Sequence, residues 1–510
     1  MAKTNLFTLV KSLTKSEKRY FKQFSRLHVK GDKNKYVMLF DLLQKQKVYD
    51  EESLIAGLGD KDFTRNFSQV KAALHRLVLK SLRNYHHQSS PEIYSHDQFS
   101  DIYLLGKKNE IKQALEVSGR LCDMDYLSDM PEARFWIKNL ELGLIVRSND
   151  VQSIREFSTD YLLGQNQLLN EIIVGLKLRH LFISIYEMLR CIGLLNTEED
   201  LNRAKKIIEE LDAIDRSNLN SLNIRLYHQT HLFYGYITGN NKWAIEHSRK
   251  LVFYAKKHKD KNSTKLYDYL IALGNLLVLE VNFNNKLKLY NEIRQLIGKK
   301  TQTGQYADVL CRATTATMTL LLHNGKIKRA KSILINNKIL LSFNQIDEPA
   351  KLSFMAAAIW IDIFNRQYSN ALDFINHFVN EIHNRSSSDF YVLGKITYLV
   401  VTFEKHNYSA LKSIGNSAIR ELKKQRRLDP SLRLFFTAFS KLNTKERRSS
   451  QATLLLFNEL KRGLLSLENK TELLIFKSEE ICAWIESYTS GNPIDQVICS
   501  RDFRKQWSFE

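Results

Sequence analysis

Proline is nearly missing from this chain: 5 of 510 residues, about 1% against a usual ~5%. Glycine, at 19, reaches roughly half its usual share of ~7%. So few breakers exclude a fold of many tight turns and predict a chain that is almost all helix. Cysteine supplies no framework either. Cys122, Cys191, Cys311, Cys482 and Cys499 are odd in number and widely scattered, with no CxxC pair. That pattern excludes a disulfide scaffold or a zinc knuckle and predicts buried, reduced thiols. Charge interrupts every apolar stretch before it reaches ~18 residues, so neither a signal peptide nor a membrane span is expected. Together these absences predict a soluble protein of the reducing cytoplasm. Catalytic signatures are missing too: there is no HExxH, GxSxG, P-loop or glycine-rich dinucleotide turn. The expectation is a protein that is not an enzyme and uses no cofactor or metal.

Four of the five prolines stand where helices should begin. Pro91 follows Ser89-Ser90, Pro131 follows Asp129, Pro349 follows Asp347-Glu348, and Pro430 follows Asp429. A capping residue just before proline suits a helix entry, because proline lacks only an N–H that would be unpaired there anyway.

The charge balance is 76 − 55 = +21, and its placement says more than its size. Residues 1–87 hold 18 Lys/Arg and 8 Asp/Glu, a net of +10. Residues 411–450 hold 11 and 3, a net of +8, which leaves only +3 for the rest. Two basic patches of this kind are the footprint of a polyanion or of an acidic protein surface, unless they are merely solvated faces.

Three parts emerge along the chain. Residues 1–88 read as a compact helical module, with Thr14 and Glu17 as a capping box opening a helix to about His28. Periodic runs follow at 35–46, 50–58 and 62–86, and HQSSP (87–91) closes the module as a linker. Residues 89–425 hold a recurring unit: a long apolar helix, a small polar turn, then an amphipathic helix with a small or apolar anchor. NEIKQALEV (109–117), NGKIKRAKSIL (324–334) and NRQYSNALDFI (365–375) are examples. The anchors are Ala114, Ile154, Ala204, Ala244, Leu289, Ala330, Ala371 and Leu411, spaced by 40, 50, 40, 45, 41, 41 and 40 residues. A small residue at a fixed place lets two helices approach, and a fixed period lets each unit stack on the last. Residues 426–510 add capping helices and end in a polar tail, SGNPIDQVICSRDFRKQWSFE.

Over about 92–425 this turn-then-alanine pattern resembles the tetratricopeptide-like α-solenoids. The period is about 40 rather than 34, and most of the aromatic and glycine consensus of the first helix is missing. The resemblance implies an all-α solenoid of about eight antiparallel helix pairs that binds a protein or peptide along a groove, and it implies no chemistry.

Residues 13–28, LTKSEKRYFKQFSRLH, pack five cations and three aromatics into sixteen positions. On a helix Lys15, Lys18, Arg19, Lys22 and Arg26 fall in one arc, opposite Leu13, Tyr20, Phe21, Phe24 and Leu27. The aromatics therefore face a core and are unsuited to stacking on bases. Arg65, Arg76, Lys80 and Arg83 are expected to share a second stripe. Arg420, Lys423, Lys424 and Arg427 follow i, i+3, i+4, i+7 as a third. The runs 35–83 also resemble a helix-turn-helix, with Arg65, Asn66, Ser68 and Gln69 of suitable type to reach base edges; no wing follows. In RLYHQTHLFYGY, Tyr227, His228, His231 and Tyr234 form a candidate peptide groove. The expected function is a non-catalytic scaffold holding a protein segment in its groove and an acidic partner on its basic stripes. Its rival is a transcriptional regulator whose residues 1–88 bind DNA while the repeats sense or dimerise. Oligomeric state and the identity of any partner stay open at this level.

Overall fold

The computed structural model describes residues 5–507 apart from 27–34, 125–126, 128, 149, 192–194, 196, 218, 258, 260–262, 281, 299–303, 344–345, 383–388, 442–449 and 469–472. Among the described residues all regular structure is helical, in many packed helices consistent with an α-solenoid. No described helix is long and apolar enough to cross a membrane. The chain forms two compact units, residues 1–254 and 255–510.

The first unit opens with α1 (Asn5–Ser12), α2 (Lys15–Arg26), α3 (Lys35–Lys45) and α4 (Glu51–Leu58). The capping box at the start of α2 is formed: Thr14 N–H donates to Glu17 Oε2 (2.7 Å) and Glu17 N–H to Thr14 Oγ1 (3.2 Å). The run 62–86 is not one helix as expected but two, α5 (Lys61–Thr64) and α6 (Phe67–His86). Asn66, at φ −118° and ψ 56°, leaves the helical backbone. Phe67 enters the core there, about two turns ahead of Leu74 and three ahead of Val78. Phe21, Leu39, Phe40, Leu43 and Leu54 complete that core. The HQSSP stretch is an ordered turn in which Ser90 caps α7 (Pro91–Lys107) by accepting from Ile93 N–H. Then come α8 (Ile111–Cys122), α9 (Pro131–Ser148), α10 (Val151–Cys191), α11 (Glu198–Asp212), α12 (Ser221–Ile237) and α13 (Asn241–Lys256).

The second unit runs through α14 (Ser263–Leu279), α15 (Phe283–Ile297), α16 (Gly304–His323), α17 (Ile327–Asn337), α18 (Glu348–Phe364), α19 (Tyr368–Ile382), α20 (Asp389–Glu404) and α21 (Tyr408–Lys424). It ends in α22 (Pro430–Ser440), α23 (Ser450–Leu465), α24 (Glu479–Ser490), α25 (Ile494–Val497) and α26 (Arg501–Gln506). Each helix packs on the next, and α14, α16, α18 and α20 also stack in succession.

The recurring turn has one geometry. Asn109, Gly239, Gly325, Arg366 and His406 adopt left-handed backbone conformation, each five residues before Ala114, Ala244, Ala330, Ala371 and Leu411. In four of the five the following N–H reaches back to a carbonyl five residues earlier, as Glu110 N–H does to Leu105 O (3.0 Å). This closes the preceding helix and starts the next at a set angle. All five anchors are fully buried, as is Ala204. At Ala244 the helices nearly touch: a Cβ on Gly235 would stand 2.7 Å from the Ala244 backbone nitrogen.

Two anchors differ. Ile154 is only half-buried because it lies on α10, a single 41-residue helix where a helix pair was expected. Leu289 is half-buried, and its neighbour Tyr290 takes the core position. The tail expected to be polar is anchored, since Ile498, Phe503 and Trp507 are buried. Arg504 Nη2 also donates to His323 O (3.0 Å). Cys311 and Cys482 are buried, Cys122 is half-buried, and Cys499 is exposed against expectation.

Candidate functional site

The basic residues fall into groups. Lys15, Arg19 and Arg26 are exposed on α2, with Lys18 and Lys22 half-buried. Lys18 has its pKa lowered by burial and by nearby Lys11, so the start of α2 concentrates positive charge. Lys22 is not free, because Asp41 on α3 pairs with it at 2.6 Å. Leu27 and His28 lie outside the described residues. Arg76, Lys80 and Arg83 share an exposed face of α6, but Arg65 stands at the α5–α6 junction and leaves that stripe. Glu17 on α2 contacts His86 at 2.8 Å, which brings the start of α2 to the end of α6. In the second unit Arg420, Lys423 and Lys424 are exposed. Arg427 departs from the helical spacing: α21 ends at Lys424, Arg426 turns left-handed, and Arg427 doubles back to pair with Asp389.

A further group of cations lines a pocket near the end of the first unit. The pocket, of about 720 Å³, opens between the α11–α12 connection, α12 and α13. Arg216, Arg249 and Lys250 supply its cations, and Leu219, Ile224, Tyr227, Phe253 and Tyr254 its apolar and aromatic walls. Among the described residues no carboxylate lines it. Arg216 stands over the Tyr227 ring at 5.5 Å, and Lys250 is held by Glu246 one turn back (2.6 Å). Tyr227 donates its hydroxyl to Asp212, the last residue of α11, which raises the phenol pKa to about 12 together with burial. This volume lies within the usual range for binding pockets of ~300–1,000 Å³.

Beneath the pocket sit three buried histidines. His228 and His247 meet Nδ1 to Nδ1 at 3.1 Å, and the His231 and His247 rings lie 4.3 Å apart. Trp243 stacks on His247, and Tyr254 on His228. Burial first, then mutual repulsion and Lys250, pushes His247 down to about 3. Burial with Lys250 pushes His228 down to about 4. His231 is lowered by burial although its Nε2 contacts Asp212 Oδ1 at 3.1 Å. All three are neutral at pH 7. Among the described residues no group of His, Cys, Asp or Glu is placed to hold a metal ion.

The expected groove is therefore divided by the structure. Tyr227 and His228 reach the pocket, whereas His231 and Tyr234 pack below it toward Trp243. Sequence reasoning missed Arg216, Arg249 and Lys250. The stretch RKLVFY (249–254), cations beside aromatics at helical spacing, was the available signal. The second unit builds a different polar centre, where Glu404 accepts from Tyr368 Oη (2.7 Å), Trp484 Nε1 (2.7 Å) and Tyr488 Oη (2.9 Å). Compared with family models, curated proteins and solved structures, the chain finds no match.

Proposed function

We propose that this chain is a non-catalytic, tetratricopeptide-like scaffold that holds an acidic, partly apolar segment of a partner protein. The observation that carries the reading is the cationic, aromatic pocket of Arg216, Arg249, Lys250, Tyr227 and Phe253. Cations at its rim complement carboxylates, and its apolar walls accept a side chain such as leucine or phenylalanine. The exposed cations of α2, α6 and α21 extend the attraction for an acidic partner and speed its encounter.

The test is fluorescence polarisation of the full chain with labelled peptides that mix Asp/Glu with Leu/Phe, against charge-reversed controls. The acidic peptides bind and the basic ones do not. Arg249→Glu with Lys250→Glu weakens binding by roughly tenfold or more. Equal binding of both peptide classes, or no effect of the double substitution, overturns the assignment.

A second reading has its own support. Arg65 and Asn66 at the α5–α6 junction and Ser68 and Gln69 in the first turn of α6 are all exposed, and α4 leads to them through a left-handed Gly59 and the short α5. That is where a recognition helix presents its base-reading side chains, as in a DNA-binding regulator. Labelled double-stranded DNA at two salt concentrations separates the readings. Sequence-preferring binding lost in Arg65→Ala supports the regulator, while weak binding that falls steeply with salt marks general attraction to phosphate.

A further inference from the structure

Among the described residues α10 is the longest helix, and the helices that pack on it cover one side. Leu168, Leu178, Leu181, Ile185 and Met188 are buried against the helices that pack on it, α9, α11 and α12. The opposite side carries Leu162, Leu169, Leu176 and Ile183, each seven residues after the last and 40 to 66% exposed. Between them stand Asn166, Ile173 and His180, also seven apart and all exposed. This is the a/d pattern of a coiled coil, with leucine or isoleucine at d and Asn, Ile, His at a. It occupies an outer face that no described helix covers.

We propose that two copies of this chain associate through this stripe, α10 against α10, as a parallel two-stranded pair. Three features favour a second copy over an unrelated helix. The pattern is self-complementary, as a two-fold interface must be. Leucine at three of the four d positions with Ile173 at a favours two parallel strands, and the polar a residues Asn166 and His180 fix the register. Across the pair, position 172 would face 177 and position 179 would face 184, so Ile meets Lys and Arg meets Ser with no like charges opposed. The area also suffices. With Leu163, the exposed residues leave on the order of 600 Å² of apolar surface per copy, the top of the range for an ordinary monomer. Two such faces reach the ~1,200 Å² at which stable interfaces begin. The stripe from Leu162 to Ile183 spans about 32 Å, three heptads. The helix is already held by its own fold, so dimerisation does not have to order it.

The test is sedimentation of the full chain over a wide concentration range, with circular dichroism to check folding. The unmodified chain is expected to be a dimer, and Leu176→Glu a folded monomer with dimerisation weakened ~30-fold or more. Val48→Glu, at a still more exposed apolar residue off the stripe, leaves the dimer intact. His180→Cys is expected to cross-link to its own counterpart under mild oxidation, which an antiparallel pairing would not allow. A monomeric unmodified chain, or a dimer indifferent to Leu176→Glu, overturns self-association and turns the stripe over to a helix of another protein. A Leu176-dependent dimer that fails to cross-link overturns the parallel arrangement.

Discussion

The two units bury histidine in opposite ways. In the first unit His228, His231 and His247 lie together with a single carboxylate, Asp212, touching only one of them. Burial wins and they are held neutral. In the second unit His323, at the end of α16, faces Glu480 Oε1 at 2.8 Å and Glu479 Oε2 at 3.6 Å. Burial still opposes its charge, but the two carboxylates outweigh it and raise the pKa. In return the imidazolium holds Glu480 down to about 2 despite its burial. The same side chain becomes aromatic filler where it is fully buried among rings and half of an ion pair where it is half-buried beside carboxylates. The number and position of carboxylates decide which.

Breaking the second arrangement should have the largest effect. Glu480→Gln leaves a buried imidazolium with one distant carboxylate and should destabilise the second unit by about 3–5 kcal/mol, read by denaturant unfolding. A loss below ~1 kcal/mol would show that His323 is neutral there as well.

Acid should separate the units next. A histidine whose folded pKa is depressed binds fewer protons folded than unfolded, so its stability contribution is full above pH 6.5 and falls as pH drops toward 4. For His228 alone that loss is at most about 3 kcal/mol. The His323–Glu480 pair behaves in reverse. The raised histidine keeps its contribution below pH 6.5, and the depressed glutamate keeps its own above about pH 4.5. Between those two values the pair is at full strength while the triple cluster is failing. Hydrogen exchange at pH 5 and pH 7 should show α12 and α13 losing protection while α16 and α24 keep theirs. His247→Leu should remove part of this acid sensitivity, a smaller effect of about 2 kcal/mol at pH 5. Unchanged acid sensitivity in that variant would place its cause outside the cluster.

The units also differ in the residues they put at the left-handed turn. The first uses Asn109 and Gly239, which tolerate that conformation, whereas the second uses Arg366, His406 and Arg426 beside Gly325. Arg426→Gly should therefore stabilise the second unit by up to about 1 kcal/mol, seen as a higher melting temperature.

The helices were legible because apolar periodicity and capping residues are local. Thr14 with Glu17, Ser90, Asp347 and Asp429 cap as their spacing implies. The anchors were legible wherever a turn residue preceded them by five. Ile154 stands in the first turn of α10, and no left-handed residue divides that helix before Cys191. Its exposed heptad went unread because leucine at helical spacing looks the same whether it faces a core or water. The pocket cations were hidden for a different reason. Arg216 and Arg249 are 33 residues apart, and only the packing of the α11–α12 connection against α13 joins them. Arg427 looked like part of a helical stripe because the backbone reversal at Arg426 has no signature in its residue type.

The anchored tail sets an order of events in time. Gly325 has no side chain where one would strike the Asp495 carbonyl at 2.5 Å and the Cys499 thiol at 2.7 Å, while Arg504 grips the carbonyl of His323, 181 positions earlier. During synthesis the turn at 323–326 therefore emerges long before the segment that covers it. It must wait with that carbonyl in water and its apolar neighbours uncovered. The first unit has no such delay at its matching turn, because a Cβ on Gly239 would meet nothing within 4 Å and no distant segment has to close over it. The two halves should mature on different clocks, the second completing only when its last short helices fold back.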